Sequence, residues 1–177
     1  MLICGEDLGM IPNCVPQVMQ DLDVLTLEIQ RMSKNPSTEF LQTEDTPYAS
    51  VCSPSTHDMS PIRLWWESEN SGYIQRFYNQ ELGRIGAAPA KCTPDIAQQI
   101  LEQHLDLPSM WAVFPLADLL GMDAELAHTA PAAERINEPS NPKHYWRYRI
   151  HLTLEELLDS SSFGDKLKGL LEKSGRS

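Results

Sequence analysis

Positive charge is scarce in this 177-residue chain: 14 Lys and Arg stand against 25 Asp and Glu, a formal net charge of −11, with no basic stripe. That balance gives no electrostatic footprint for nucleic acid, and it suits a neutral substrate such as a sugar. Long apolar runs are also missing. Met1 to Cys4 is too brief for a signal h-region and no stretch reaches the length of a membrane span, so the expectation is a soluble cytoplasmic protein. Cysteine is sparse: Cys4, Cys14, Cys52 and Cys92 are widely spread and form no C-x-x-C pair. They read as reduced, mostly packed thiols, and no metal site is expected. Internal repeats and low-complexity tracts are lacking, and the chain is shorter than the roughly 250 residues of a complete eight-fold barrel.

What is present is an alternation of short apolar runs and amphipathic stretches. Strands are expected at Leu2 to Cys4, Val24 to Ile29, Tyr48 to Ser53 and Trp111 to Leu116. Helices are expected over Val15 to Leu22, from the N-cap and N1 pair Ser60-Pro61 through Glu67, over Tyr73 to Leu82, from Thr93-Pro94 through Leu105, and over Asp118 to Leu126. Thr153 with Glu156 three residues on is a capping box that opens a last helix. The tail from Ser174 to Ser177 is expected to be mobile. Strands that alternate with helices pair in parallel through right-handed crossovers, so the fold class is α/β, with four strands making half a barrel. Such a half leaves two open sheet edges that something else must cover.

Two acidic motifs stand where an apolar run gives way to a turn, Gly5-Glu6-Asp7-Leu8-Gly9 and Ser55-Thr56-His57-Asp58. Barrel enzymes keep their chemistry at strand ends, and glycoside cleavage needs carboxyl groups flanking one bond, which Glu6 and Asp58 can supply. Each motif has a structural alternative: acidic residues cap helices that follow strands, and Asp58 can serve as N-cap for the helix near Ser60. Trp65-Trp66 reads as core packing before a sugar platform, because adjacent helical residues point about 100 degrees apart. The run Tyr145-Trp146-Arg147-Tyr148-Arg149 could stack on bases or sugars, and in so acidic a chain reads as a packing and positioning element. Arg135 to Pro142, rich in turn formers and amides, suits a binding loop or an ordinary surface loop.

Taken together, Gly5 to Gly9, Ser55 to Asp58, the run Phe114-Pro115-Leu116-Ala117-Asp118-Leu119-Leu120-Gly121, and Arg135 to Pro139 with Trp146 to Arg149 resemble the 4-α-glucanotransferase family, the amylomaltases and disproportionating enzymes of glycoside hydrolase family 77. Leu64-Trp65-Trp66-Glu67 points to the maltose-acting branch of plant cytosolic and Bacteroides-type enzymes. The resemblance implies the C-terminal half, strands five to eight with their helices, of a (β/α)8 TIM-type barrel over residues 1–158, with a terminal helix and tail over 159–177. It implies retaining transfer of glucosyl or glucanosyl units from maltose or maltodextrin to an α-1,4-glucan or glycogen-like acceptor, with no metal and no cofactor. Glu6 is then the general acid/base, Asp58 the carboxylate that stabilises the transition state, His57 a contact to sugar hydroxyls, and Asp7 and Asn137 further substrate contacts.

One departure bears on activity. The family's nucleophile is an Asp in an Arg-x-Asp motif ahead of the Glu motif, and these residues hold no such sequence. Without an attacking group no glycosyl-enzyme forms, so the chain by itself is expected to be inactive until the N-terminal half of the barrel joins it. The competing expectations are a glucan-binding remnant without chemistry and an α-glucan hydrolase.

Overall fold

The computed structural model describes residues 1–176. Its spine is a four-stranded parallel sheet made of β1 (Ile3–Cys4), β2 (Val24–Glu28), β3 (Ser50–Cys52) and β4 (Trp111–Ala112), in sequential order across the sheet. Seven helices connect and flank the strands: α1 (Val15–Asp21), α2 (Ile62–Ser68), α3 (Ser71–Gln80), α4 (Pro94–Asp106), α5 (Leu116–Leu120), α6 (Leu154–Asp159) and α7 (Ser161–Ser174). Parallel neighbours in sequence order are what successive crossovers on one side of a sheet produce. Among the described residues no helix is long and apolar enough to cross a membrane.

The register gives the two faces of the sheet different fates. Cys52 lies in register with Glu28 and Ala112, and its thiol donates to the His104 carbonyl in α4, so this row faces the helices. Side chains alternate along a strand, which turns the row Leu27, Val51 and Trp111 the other way. That face is only partly covered, and Trp111 keeps 54% of its surface exposed.

The helices build their own core around Phe40, Trp65, Trp66, Phe77, Ile96, Ile100 and Leu101. Trp65 and Phe77 meet edge to face at 5.0 Å, and Phe40 sits 5.1 Å from both Phe77 and Tyr73. Such pairs add to the area they bury. Both tryptophans of the Trp65-Trp66 pair are therefore core residues, and the indole N–H of Trp66 donates to the Pro89 carbonyl at 2.8 Å. Phe163 and Leu170 bring α7 into the same core.

Several expected boundaries shift, each for a local reason. The strand expected over Tyr48 to Ser53 keeps only Ser50–Cys52, and the one expected over Trp111 to Leu116 stops at Ala112, because Pro115 has no N–H for the ladder and already occupies the N-cap position of α5. Helix α5 ends at Leu120, short of the expected Leu126. Helix α2 begins at Ile62, one residue past the expected N1 at Pro61. Cys52 and Cys92 are buried, but Cys4 and Cys14 are exposed, Cys4 because it ends the edge strand β1. In the tail, Arg176 donates to the carbonyls of Leu105, Leu107 and Ser109, which fastens a segment expected to be mobile; Ser177 lies outside the described residues.

Candidate functional site

All four strands run the same way, so the segments that follow them emerge at one end of the sheet. Glu6 leaves β1 there and the Ser55 to Ile62 loop leaves β3 there, with β2 between. Two strand spacings separate the exits by about 10 Å. Glu6 is exposed just after Gly5, where any side chain would come within 2.9 Å of the Met19 methyl and 3.3 Å of Val24. Glycine thus lets β1 pass close to α1 before the turn, and Gly9, at a φ of 77°, closes that turn in the left-handed region.

Asp7 stands next to Glu6 but points inward. One carboxylate oxygen accepts from the Leu27 N–H at 2.9 Å, which continues the β1–β2 pairing past the last ladder bond, and the other accepts from Lys34 at 2.7 Å. Lys34 also donates to buried Glu28 at 2.8 Å, so one ammonium serves two carboxylates. With both oxygens engaged and its side chain buried, Asp7 is committed to the protein in this structure. The cluster borders a cleft of about 650 Å³ lined in part by Leu8, Thr26, Met32, Leu41 and Pro47.

Asp58, His57 and Asn137 do come together. The Asn137 amide donates to Asp58 Oδ1 at 2.6 Å, and His57 Nε2 lies 3.3 Å from Asp58 Oδ2. Asn137 is itself buried and held, its Oδ1 accepting from the Glu138 N–H at 2.9 Å and its carbonyl from Arg135 at 2.9 Å. The turn-rich segment from Arg135 therefore delivers one amide to one carboxylate. Asp58 and His57 keep 40% and 52% of their side-chain surface exposed, open to a ligand. The Trp146 ring lies 5.4 Å from the His57 ring, tilted by 50°, and is itself largely exposed, so an aromatic face borders the pair.

Sequence reasoning missed how the Asp58 loop is held. The first amide of α2, Ile62 N–H, donates to Asp118 Oδ1 at 2.6 Å, so the helix is capped from another element and not by Asp58. Asp118 Oδ2 accepts from the Ser55 hydroxyl, and Arg31 donates to the Ser60 carbonyl between these two anchors. Burial pushes the Asp118 carboxyl up to about 6, against the pull of its bonds from Ser55 and Ile62 and of Arg31 nearby. Arg31, stacked 4.9 Å from the centre of the Trp65 ring, is lowered to about 10 by the same burial. Buried His104, whose Nδ1 donates to the Ile100 carbonyl at 2.7 Å, is lowered to about 4 and is neutral. The one sequence signal for Asp118 is an acid inside the apolar run Leu116-Ala117-Asp118-Leu119-Leu120, which on its own reads as a first-turn acid.

Among the described residues no three His, Cys, Asp or Glu side chains gather as metal ligands. What the arrangement offers is two carboxyl groups at one end of a parallel sheet, one free and one oriented by an amide and an imidazole, beside an aromatic face. Exposed carboxyls at the C-terminal ends of parallel strands stand where barrel-type α/β enzymes keep their chemistry, which gives the class.

The comparisons place the chain within that class. Residues 1–154 match the 4-alpha-glucanotransferase family, glycoside hydrolase family 77, and the chain belongs to it. It is 49% identical over 177 residues to the 4-alpha-glucanotransferase DPE2 of Oryza sativa subsp. japonica, covering 100% of this chain and 19% of that protein. It is 30% identical to the 4-alpha-glucanotransferase of Chlamydia muridarum, covering 96% of this chain and 32% of that one. The chain thus spans between about a fifth and a third of the length of these relatives. In fold it is similar to the amylomaltase from Streptococcus agalactiae in complex with acarbose, at a TM-score of 0.73 and 18% identity over 98% of this chain and 32% of that one. The amylomaltase from Corynebacterium glutamicum matches at a TM-score of 0.69 and 14% identity, covering 94% of this chain and 28% of that one. The four-stranded parallel sheet is part of such a barrel.

Proposed function

We propose that this chain is the C-terminal half of the catalytic barrel of a 4-α-glucanotransferase, contributing strands five to eight, and that it moves glucosyl or glucanosyl units from maltose or maltodextrin to an α-1,4-glucan. The observation that carries the reading is the exit of Glu6 and of the Asp58 loop at one end of a parallel sheet, with Asp58 already oriented by Asn137 and His57.

In this reading Glu6 first protonates the departing glycosidic oxygen and then, as its conjugate base, takes the proton of the acceptor hydroxyl. Asp58 stays ionised and stabilises the positive charge that develops at the anomeric carbon. The Asn137 amide fixes which way its free edge points. His57 meets sugar hydroxyls beside it. Asp7, which both the Leu27 amide and Lys34 hold, keeps the Glu6 segment against β2, and a direct contact of Asp7 with the sugar would require one of these bonds to be exchanged. The attacking carboxylate comes from outside these 177 residues, which contain no Arg-x-Asp sequence. Transfer rather than hydrolysis then depends on the acceptor sugar reaching the glycosyl-enzyme before water does.

The test is a chimera in which residues 1–177 replace the matching segment of the rice relative. Glucose release from maltose in the presence of glycogen, lost in both Glu6→Gln and Asp58→Asn, supports the proposal. Binding of glycogen with no turnover by the unaltered chimera would favour a glucan-binding remnant, and free glucose without a growing oligosaccharide series would favour a hydrolase.

A further inference from the structure

Asp58 sits on a loop with no regular structure between β3 and α2, yet its carboxylate must stand still to be of use. The loop's own bonds are few: the Asp58 N–H donates to Thr56 Oγ1 at 3.3 Å and the Met59 N–H to the Thr56 carbonyl at 3.2 Å. Its ends are held differently. Both converge on one side chain of another element, where Asp118 in the first turn of α5 takes the Ser55 hydroxyl on Oδ2 and the Ile62 amide on Oδ1. Only 1% of Asp118 is exposed, so water does not compete for these bonds. Nothing in the proposed chemistry uses this carboxylate, and it makes no contact with Asp58 itself.

We infer that Asp118 is a positioning residue for Asp58: by gripping both ends of the Ser55 to Ile62 loop it sets where the Asp58 carboxylate stands over the sheet. This rests on the proposed role of Asp58. The geometry suits the task, since a single rigid acceptor with two oxygens fixes the spacing of the two loop ends as well as their positions. Arg31 steadies the middle by donating to the Ser60 carbonyl, and Glu134, paired with Arg63 at 3.0 Å, closes the charged surroundings of the carboxylate. Displacing a transition-state carboxylate by a fraction of an ångström leaves ground-state binding intact while it costs rate.

The experiment uses the chimera described above and compares Asp118→Ala, Asp118→Asn and Ser55→Ala. For Asp118→Ala, kcat per folded molecule is expected to fall about 10- to 100-fold with KM nearly unchanged, as for a displaced catalytic group. Asp118→Asn keeps an oxygen for the Ile62 amide and is expected to recover most of that loss. Ser55→Ala cuts one grip, leaves the cap of α2 in place, and is expected to lower kcat in the same direction should Asp118→Ala fail to fold. Amide exchange is expected to quicken in residues 55–62 and not in α4. Unchanged kcat in folded Asp118→Ala or in Ser55→Ala overturns the inference. A chimera without transfer overturns the proposed function instead, and there the exchange pattern still decides on Asp118: loop exchange that stays slow, or that quickens equally throughout, overturns it.

Discussion

Asp58 shows how much one amide can decide. Among the described residues its Oδ1 has a single donor, Asn137, at 2.6 Å, while Oδ2 faces His57, so removing the amide frees the carboxylate to rotate. Asn137→Ala in the chimera is expected to lower kcat about tenfold, the scale of a lost charge-assisted hydrogen bond of about 1.5 kcal/mol. An unchanged kcat would mean that the amide does not orient the carboxylate. The buried pair His104 and Asp118 gives a pH test with opposite signs. Asp118 is raised from 3.8 to about 6, so its contribution to stability is full below pH 3.8 and is lost as pH rises through about 6. His104 is lowered from 6.5 to about 4, so its contribution is full above pH 6.5 and is lost as pH falls through about 4. Relative to the unaltered protein, His104→Gln is expected to be best tolerated near pH 4 and Asp118→Asn near pH 6.5, read from denaturant unfolding across that window. Relative stabilities that move in the same direction would contradict one of the two assignments, and both trends reversed would contradict both. Glu6, His57, Asp58 and Asn137 were legible as candidates because each lies in a compact motif. Asp118 and Arg31 were not, since their partners lie far away in the chain and only the fold reveals the meeting.

Among the elements, the helices differ in what they owe to local sequence. Helix α6 has no buried residue and relies on its cap: the Thr153 hydroxyl accepts from the Glu156 N–H at 3.1 Å while the Glu156 carboxylate accepts from the Thr153 N–H at 2.7 Å. Thr153→Ala is expected to remove about 1 kcal/mol from α6 alone, seen as faster amide exchange there with the melting temperature nearly unchanged. Phe77→Ala, in the centre of the aromatic cluster, is expected to cost about 3–5 kcal/mol and to lower the melting temperature of the whole molecule. Equal effects of the two changes on global melting would contradict this division. The capping box and the apolar stripe of α4 were visible in the sequence because both are local patterns. The short strands were visible as positions but not as lengths. Where β3 and β4 end depends on neighbouring strands and on Pro115, which periodicity alone does not report.

At the scale of the molecule, the sheet is part of a barrel. The helix side is packed, but on the other face Trp111 and Val113 remain more than half exposed. The same 177 residues hold no Arg-x-Asp sequence to supply an attacking carboxylate. The 177 residues alone are therefore expected to show no transfer from maltose to glycogen, and turnover by the purified chain would refute the need for a carboxylate supplied from elsewhere. The parallel half-sheet could be anticipated from the alternation of strands and helices, and the family from motifs in order along the chain. How the Asp58 loop is anchored could not, because its two ends meet one side chain remote in sequence.

The most direct measurement is a crystal structure of the Glu6→Gln chimera with a bound maltooligosaccharide. If the proposed site is right, the side chain at position 6 lies within about 3 Å of a glycosidic oxygen while Asp58 contacts the sugar ring on the donor side of that same bond. Side chains 6 and 58 found on different sugar rings, or with no sugar between them, would contradict it.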